Sequence, residues 1–394
     1  MSEAFSGALQ AVSAAVATAS GVLEPRQPSK PVDWTEFIRL LDRHHVAPQV
    51  HRSSWLTSAG APAEVCEAVK ERERRYALGL LRMLAFHREV LDLLTGAGVD
   101  VVVLKGVTVA IDAYGDAGAR TPGDLDLLVS ARSVPRAVGA LQSAGFDWYD
   151  WRDPNRVPVE TTPIERLPRL PVARDVALAR GGVKVELHWR LFPNSRLMPV
   201  DPDWLRAPRY VEAHGVTIPS LPIVAQWLYL LVHGSVHFWS RMKWLADVPA
   251  LALRQPELAQ HEFMTTQDAG YRRSVATGLI LAEAAFGAFL APETRAWAAS
   301  VGGIRMHVRK SLSMLAAEHD RPTEVSARAL PGVLASRLAL RRDAPYRLEE
   351  LRLLLILAAR AQGVEDPGIV DLAAGPFRWA NRTARRLAAR RHAG

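Results

Sequence analysis

The sequence has a single cysteine, Cys66, among its 394 residues. One thiol excludes an intramolecular disulfide and a zinc site built from cysteines, and it fits a reducing cytoplasm. The sequence also lacks an apolar run of the roughly 20 residues that cross a bilayer. Its apolar start has Glu3 where a secretory signal needs positive charge. We therefore expect a soluble, cytoplasmic protein with no membrane span, in which residues 1–33 form a flexible N-terminal segment.

Lysine is scarce as well: six of the 49 basic residues are lysine and 43 are arginine, with a net charge of +8. A basic balance permits nucleic acid or other polyanionic partners without requiring them. The tail from Arg378 onward carries six arginines and no acid. Such a tail could bind RNA, an anionic leader peptide or an acidic surface, and a solubilising helix is the simpler interpretation.

The most informative stretch is 101–129, which predicts a strand, a short helix and a second strand. The apolar run Val101–Leu104 is typical of a buried strand, and a Lys-Gly pair ends it. The second predicted strand begins at Asp124 and ends at Val129. Because side chains alternate along a strand, Asp124 and Asp126 are expected on one face.

Two carboxylates on one face repel each other unless a cation lies between them. Mg²⁺ takes oxygen ligands from one or two carboxylates and from substrate phosphates. The helix that follows Gly106 offers an anion site at its N-terminus. The acid pair together with this anion site favours nucleotide transfer. An isolated pair of acids would indicate only the solvent-exposed face of an edge strand.

These residues carry a resemblance to a known family. The sequence Leu104-Lys105-Gly106, then Arg120, then the segment from Asp124 to Val129 resembles the bacterial "nucleotidyltransferase family protein" group. This group is a branch of the superfamily typified by DNA polymerase beta and the aminoglycoside nucleotidyltransferases. The similarity extends over roughly residues 34–251.

The resemblance implies an α+β fold, with a small mixed nucleotidyltransferase sheet flanked by helices. It further implies an N-terminal helical lead-in at 34–98 and a catalytic core at 99–200. The pattern of charged and apolar residues predicts a long helix over 63–98, with one break or none. A helical domain with the basic C-terminal tail is expected at 222–394. The proline-bearing stretches 154–180 and 191–222 are expected to be irregular.

A third carboxylate comes from the alternating segment Val183–Trp189, which predicts a strand. Lys184, Glu186 and His188 share one of its faces. The resemblance implies that Glu186 completes the metal-binding set and is the first candidate for the general base. It places Lys184 and His188 beside the metal site or on the substrate side.

A single helix is predicted over 224–250, in which His233, His237 and Arg241 form a ridge at i, i+4 and i+8. A zinc protease motif is excluded because Gly234 stands where the general-base glutamate would be. The family pattern of two histidines, a basic residue and W-L-x-D implies a wall of the substrate cleft, with Asp247 as a base or substrate anchor. A structural polar ridge is the alternative.

The resemblance thus implies a two-Mg²⁺ nucleotidyltransferase that moves a nucleoside monophosphate from an NTP, ATP being preferred, to an acceptor. Asp124, Asp126 and Glu186 would bind the metals. The nucleotide would be bound by Lys105, Gly106, Thr108 and Arg120. Val107 follows Gly106 where well-studied members have Ser or Gly, so Thr108 would supply the hydroxyl one position later.

The acceptor is expected to be a small molecule or a peptide, with RNA as an alternative through the basic tail. Two other functions are open at this point. One is a catalytically degenerate nucleotidyltransferase fold that serves as a binding or scaffold protein. The other is a toxin-like enzyme that modifies tRNA, and the salt dependence of RNA binding would distinguish it.

Overall fold

The computed structural model describes residues 5–121, 123–149, 164–266, 270–317 and 330–360. Residues 150–163 and the arginine-rich tail lie outside these ranges. The helices in the described part are α1 Gly7–Ala19, α2 Trp34–His44, α3 Ala47–Arg52, α4 Trp55–Ser58, α5 Ala63–Gly96, α6 Val107–Tyr114, α7 Val134–Ser143, α8 Asp203–Arg206, α9 Ile223–Val236, α10 Met242–Arg254, α11 His261–Thr266, α12 Arg272–Phe286, α13 Pro292–Ser300, α14 Arg305–Ala316, α15 Leu330–Leu340 and α16 Ala344–Arg360. In the described ranges, none of these helices has the length and apolar character that crossing a membrane requires.

One mixed sheet organises the described residues. Its strands are β1 Val101–Val103, β2 Leu125–Val129, β3 Asp147–Trp148, β4 Asp175–Arg180, β5 Val183–His188, β6 Arg209–Ala213 and β7 Val216–Ser220. Their spatial order is β3-β4-β5-β2-β1-β7-β6. The central pair β2 and β5 is parallel, and β1 runs antiparallel to β2. The fold is thus α+β, as the resemblance implied.

The two faces of this sheet lie against two different hydrophobic cores. Val103, Leu125 and Leu127 pack with the helices α5 and α7. Val102 and Leu128 on the opposite face pack with α1, α9, α10 and α12. Asp126 alternates with Leu125 and Leu127 along β2, so its side chain is on the face covered by the helical half.

The N-terminal segment differs from the expected flexible chain. Residues 7–19 form α1, whose side chains are buried from Gly7 to Ala17. The Ser13 hydroxyl donates to the Ala285 carbonyl of α12 at 2.7 Å. A helix of small residues can approach its neighbours closely, which explains its position inside the helical core.

Three strands lie in stretches that were expected to be irregular. β4 occupies the end of the proline-bearing segment 154–180, and the hairpin of β6 and β7 occupies 209–220. The hairpin turns at His214 and Gly215, whose φ angles of 48° and 76° match a two-residue turn of the primed type. By contrast, the long helix predicted over 63–98 is present as α5.

Candidate functional site

The parallel pairing of β2 with β5 brings two acids side by side. Asp126 is the register partner of Glu186, and Leu128 is the partner of His188. Asp126 is 3% exposed. Since β5 alternates, Glu186 and His188 are on the same face as Asp126. The sequence placed all three on strands, and the fold brings them together.

These three side chains form a compact donor set. One ligand atom from each of Asp126, Glu186 and His188 lies within 4.8 Å of the others. Nε2 of His188 lies 3.4 Å from an oxygen of each carboxylate, and among the described residues neither ring nitrogen has a partner in hydrogen-bond geometry. Two carboxylates and an imidazole are donors that fit a divalent cation.

Two lysines pair with the carboxylates. The Lys105 ammonium is bonded to Asp126. Nζ of Lys184 lies 2.5 Å from Asp124 and 2.8 Å from Glu186. Asp124 precedes β2 instead of beginning it, its side chain is 46% exposed, and it contacts this group through Lys184. The structure therefore gives two carboxylates and a histidine as the closest set, where the resemblance implied three carboxylates.

Charge pairing governs the protonation of the site. Burial tends to raise the pKa of Asp126, but the charges of Lys105 and His188 outweigh burial and lower it. Burial also opposes ionisation of Glu186, and contacts with His188 and Lys184 lower its pKa. Burial tends to lower the pKa of His188, whereas the neighbouring carboxylates raise it to about 9. Both carboxylates are therefore ionised at neutral pH.

The turn between β1 and α6 lies beside this group. Gly106 has φ 89° and ψ −118°, a conformation that side-chain-bearing residues avoid, and it caps the N-terminus of α6. Thr108 is fully buried, and its hydroxyl accepts a hydrogen bond from Nε2 of Gln226 at 3.1 Å. Thr108 thus packs inward, a position that differs from the expected phosphate contact.

Arg120 and Asp247 form a buried ion pair. Nε of Arg120 lies 3.0 Å from Oδ2 of Asp247, with side-chain exposures of 4% and 0%. The Tyr114 hydroxyl donates to the same carboxylate at 3.3 Å. Burial raises the pKa of Asp247, although Arg120 opposes it. Both groups were expected to contact ligands, but the fold pairs them with each other and joins α6 to α10.

The helix predicted over 224–250 is broken. Its two parts are α9 and α10, and residues Phe238 and Trp239 between them have φ angles of 52° and 49°. His233 and His237 still lie together, with ring centroids 4.5 Å apart. Burial lowers the pKa of both rings, that of His237 to about 3, so both are neutral. Arg241 lies at the N-cap of α10, so the expected three-residue ridge is interrupted.

A comparison with protein families adds to this geometry. The model of the family described as "Uncharacterised nucleotidyltransferase" matches residues 30–287. The chain belongs to this uncharacterised nucleotidyltransferase family. The match spans the sheet, the acid-bearing strands and helices α9 and α10. No curated protein and no solved structure matches the chain. Membership indicates nucleotidyltransferase activity in general.

Three further residues of this nucleotidyltransferase lie at the site without a motif to single them out. Asp175 of β4 is the register partner of His188, and its Oδ2 lies 3.7 Å from Nδ1 of that ring. Arg174 contacts Asp175 at 3.5 Å. Tyr229 lies next to His233, with ring centroids 5.7 Å apart. Tyr229 could have been found in the sequence, since it precedes His233 by one helical turn.

Proposed function

We propose that this protein is a divalent-metal-dependent nucleotidyltransferase that moves a nucleoside monophosphate from an NTP to an acceptor and releases pyrophosphate. The observation that carries the proposal is the pairing of Asp126 with Glu186 across β2 and β5 in a chain of this family. Two converging acids, one buried and one half-buried, are costly unless a cation pairs with them. The location is proposed to be cytoplasmic.

Asp124, Asp126 and Glu186 are the proposed metal-binding residues, with His188 adding a nitrogen ligand. Two Mg²⁺ ions, when bound, would neutralise the triphosphate and favour ionisation of the acceptor hydroxyl. Glu186 is ionised and can accept the proton of that hydroxyl. The acceptor oxygen then bonds to the α-phosphorus, and the bond to pyrophosphate breaks.

The remaining side chains divide between donor and acceptor. Lys105 and the Gly106 turn are proposed to contact the phosphates of the donor, for which ATP is preferred. On the acceptor side, Lys184 and the neutral rings of His233 and His237 are proposed to line the cleft. The neutral imidazoles of His233 and His237 suit an uncharged acceptor group, so a small molecule or a peptide is favoured as the acceptor.

The test is thermal stability of the wild type, Asp126→Asn and Glu186→Gln with each of the four NTPs, with and without Mg²⁺. A ligand at 100 times its dissociation constant adds about 2.7 kcal/mol, which for a chain of this length is a shift of about 3 °C. We expect a shift in the wild type that requires Mg²⁺ and is lost in both variants. Asp92→Asn, an exposed acid on α5, is the matched control and should retain the shift.

A second candidate is a catalytically degenerate binding or scaffold protein. The observation that favours it is that Lys105 and Lys184 already neutralise the acids from within the chain. It predicts no metal-dependent shift with any NTP in a folded wild type. A tRNA-directed enzyme would instead bind RNA with an affinity that falls steeply as salt rises.

A further inference from the structure

A cavity of about 560 Å³ lies between the segment that follows β5 and helix α16, apart from the acids of the site. Pockets of roughly 300–1,000 Å³ hold small molecules. The wall from the strand side begins at Trp189, directly after His188, and the wall from α16 includes Glu349. The family match ends at residue 287, so α16 lies beyond it and the cavity is built only in part by the family core.

Buried contacts hold α16 against the segments before β4 and after β5. The amide of Asn194, which follows β5, donates to the carboxylate of Glu350 at 3.0 Å. Leu353 and Ile356 pack on Val172, which precedes β4. The wall that α16 contributes is therefore formed in advance, and a ligand has no need to order it.

Positive charge exceeds negative charge in the lining of the cavity. The guanidinium of Arg190 donates to four backbone carbonyls of the segment 168–173 at 3.0–3.2 Å, so carbonyl dipoles hold it in place. Arg196 adds a second guanidinium at the exposed rim. The acid in the lining is Glu349, and its carboxylate pairs with Arg352 at 3.1 Å. Two guanidinium groups against one carboxylate that is already paired favour an anionic ligand.

The deepest part of the lining is apolar. Trp189 and Met198 are 5% and 2% exposed, and Val200 beside them is half-buried. An apolar ligand group placed against these side chains would remove water from both surfaces, which favours binding. Apolar walls with a few polar groups that fix orientation are typical of small-molecule sites.

We propose that this cavity binds a small organic acid, with its apolar body against Trp189 and Met198 and its carboxylate on Arg196. A guanidinium presents two parallel N–H groups to a carboxylate, and the charge of Arg190 favours the same anion. One carboxylate balances the excess of one positive charge in the lining. The inference goes beyond the proposed function, and neither depends on the other.

The experiment measures binding to the full-length protein by ligand-observed NMR titration without nucleotide. The probes are 4-phenylbutyrate, the neutral 4-phenylbutan-1-ol and the cationic 4-phenylbutylamine, which share one apolar body. The variants are Arg196→Gln, Glu349→Gln, Ser195→Trp and the control Arg132→Gln, which alters an exposed arginine outside the lining. Circular dichroism checks that each variant is folded.

We expect 4-phenylbutyrate to bind at least about tenfold more tightly than the alcohol, as for the gain of one charged hydrogen bond, and the amine to bind most weakly. Arg196→Gln should remove this advantage and leave the affinity for the alcohol within about twofold. Glu349→Gln should strengthen binding of the acid, because it removes a repelling charge. Ser195→Trp should weaken acid and alcohol alike, because the indole fills the cavity from its rim.

Three results would overturn the inference. Equal affinities for acid and alcohol, or no binding of any probe, would show that the cavity does not recognise organic anions. Equal losses in Arg196→Gln and Arg132→Gln would indicate general surface charge. Asp126→Asn distinguishes the cavity from the nucleotide site: retained binding of 4-phenylbutyrate supports the cavity, and loss of binding would place the probe at the acids instead.

Discussion

Replacement of Asp247 by alanine tests whether this residue acts through structure or through contact with a substrate. The carboxylate is fully buried and pairs with the guanidinium of Arg120 at 3.0 Å. Its removal leaves a buried positive charge without a partner, which typically costs about 3–5 kcal/mol. The Tyr114 hydroxyl loses its acceptor as well.

The size of the effect follows from chain length. At about 2.1 cal/mol/K per residue, the 394 residues unfold with an entropy of roughly 0.8 kcal/mol/K, so the midpoint should fall by about 4–6 °C. The assay is thermal unfolding followed by circular dichroism at pH 7.5 without nucleotide. Asp92→Ala, which removes an exposed acid, should leave the midpoint unchanged.

A double variant separates the loss of the pair from the loss of packing. Arg120→Met with Asp247→Leu replaces both charges by apolar side chains, and such replacements of buried pairs are often neutral or stabilising. The double variant should therefore melt above Asp247→Ala. If Asp247→Ala melts within about 1 °C of the wild type, Asp247 does not hold the fold, and a role as base or substrate anchor becomes the better explanation.

Three other predictions concern protonation and backbone geometry. The neighbouring carboxylates raise the pKa of His188 to about 9, so its contribution to stability is complete below its pKa in the unfolded chain, near 6.5, and is lost as pH rises to 9. Thermal midpoints measured in EDTA should fall over this pH range, and His188→Gln should reduce that fall. Burial lowers the pKa of Lys243 to about 7, so the charged ammonium destabilises the folded protein at low pH. Lys243→Met should therefore raise the thermal midpoint most below pH 7, and this gain should vanish as pH approaches 10.5. A gain that does not change with pH would contradict the lowered pKa of Lys243. A Cβ at Gly106 meets no atom within 4 Å, but the φ of 89° makes Gly106→Ala cost about 1–3 kcal/mol of backbone strain. The control Gly139→Ala lies in a helix, also with open space around the new Cβ, and should not destabilise the protein. Equal thermal midpoints for the two variants would refute the strain at Gly106.

The parts of the fold that the sequence predicted are those specified by neighbouring residues. The strands β2 and β5 and the helix α5 each have a clear apolar period, and Asp126, Glu186 and His188 fall on the strands with the spacing of a shared face. Strand β4 has a buried centre from Val176 to Leu178 without a clear alternation, and it follows a proline-bearing stretch, so the sequence did not predict it. The turn at His214-Gly215 is a hairpin signal that could have been recognised.

The break between α9 and α10 shows a different limit. No proline or glycine occurs from 235 to 241, and the helical period of His233 and His237 continues through it. The chain nevertheless leaves the helix where Phe238 and Trp239 take positive φ, and Trp239 becomes fully buried. Burial of this large ring in the helical core offsets the local strain. Packing against distant helices decides the break, and a local pattern does not contain that information.

The same reasoning applies to Arg120, which the resemblance places at the phosphates of the nucleotide. Arg120 stands four residues before Asp124, so its proximity in sequence favours a role at the phosphates. Its partner in the structure is Asp247, 127 residues away in the sequence. Because this fully buried carboxylate neutralises the guanidinium, Arg120 is less suited to binding a ligand phosphate. Residue type and spacing therefore predict which acids lie together on adjacent strands. The partner of a cation such as Arg120 is known only from the fold, because that partner lies far away in the sequence.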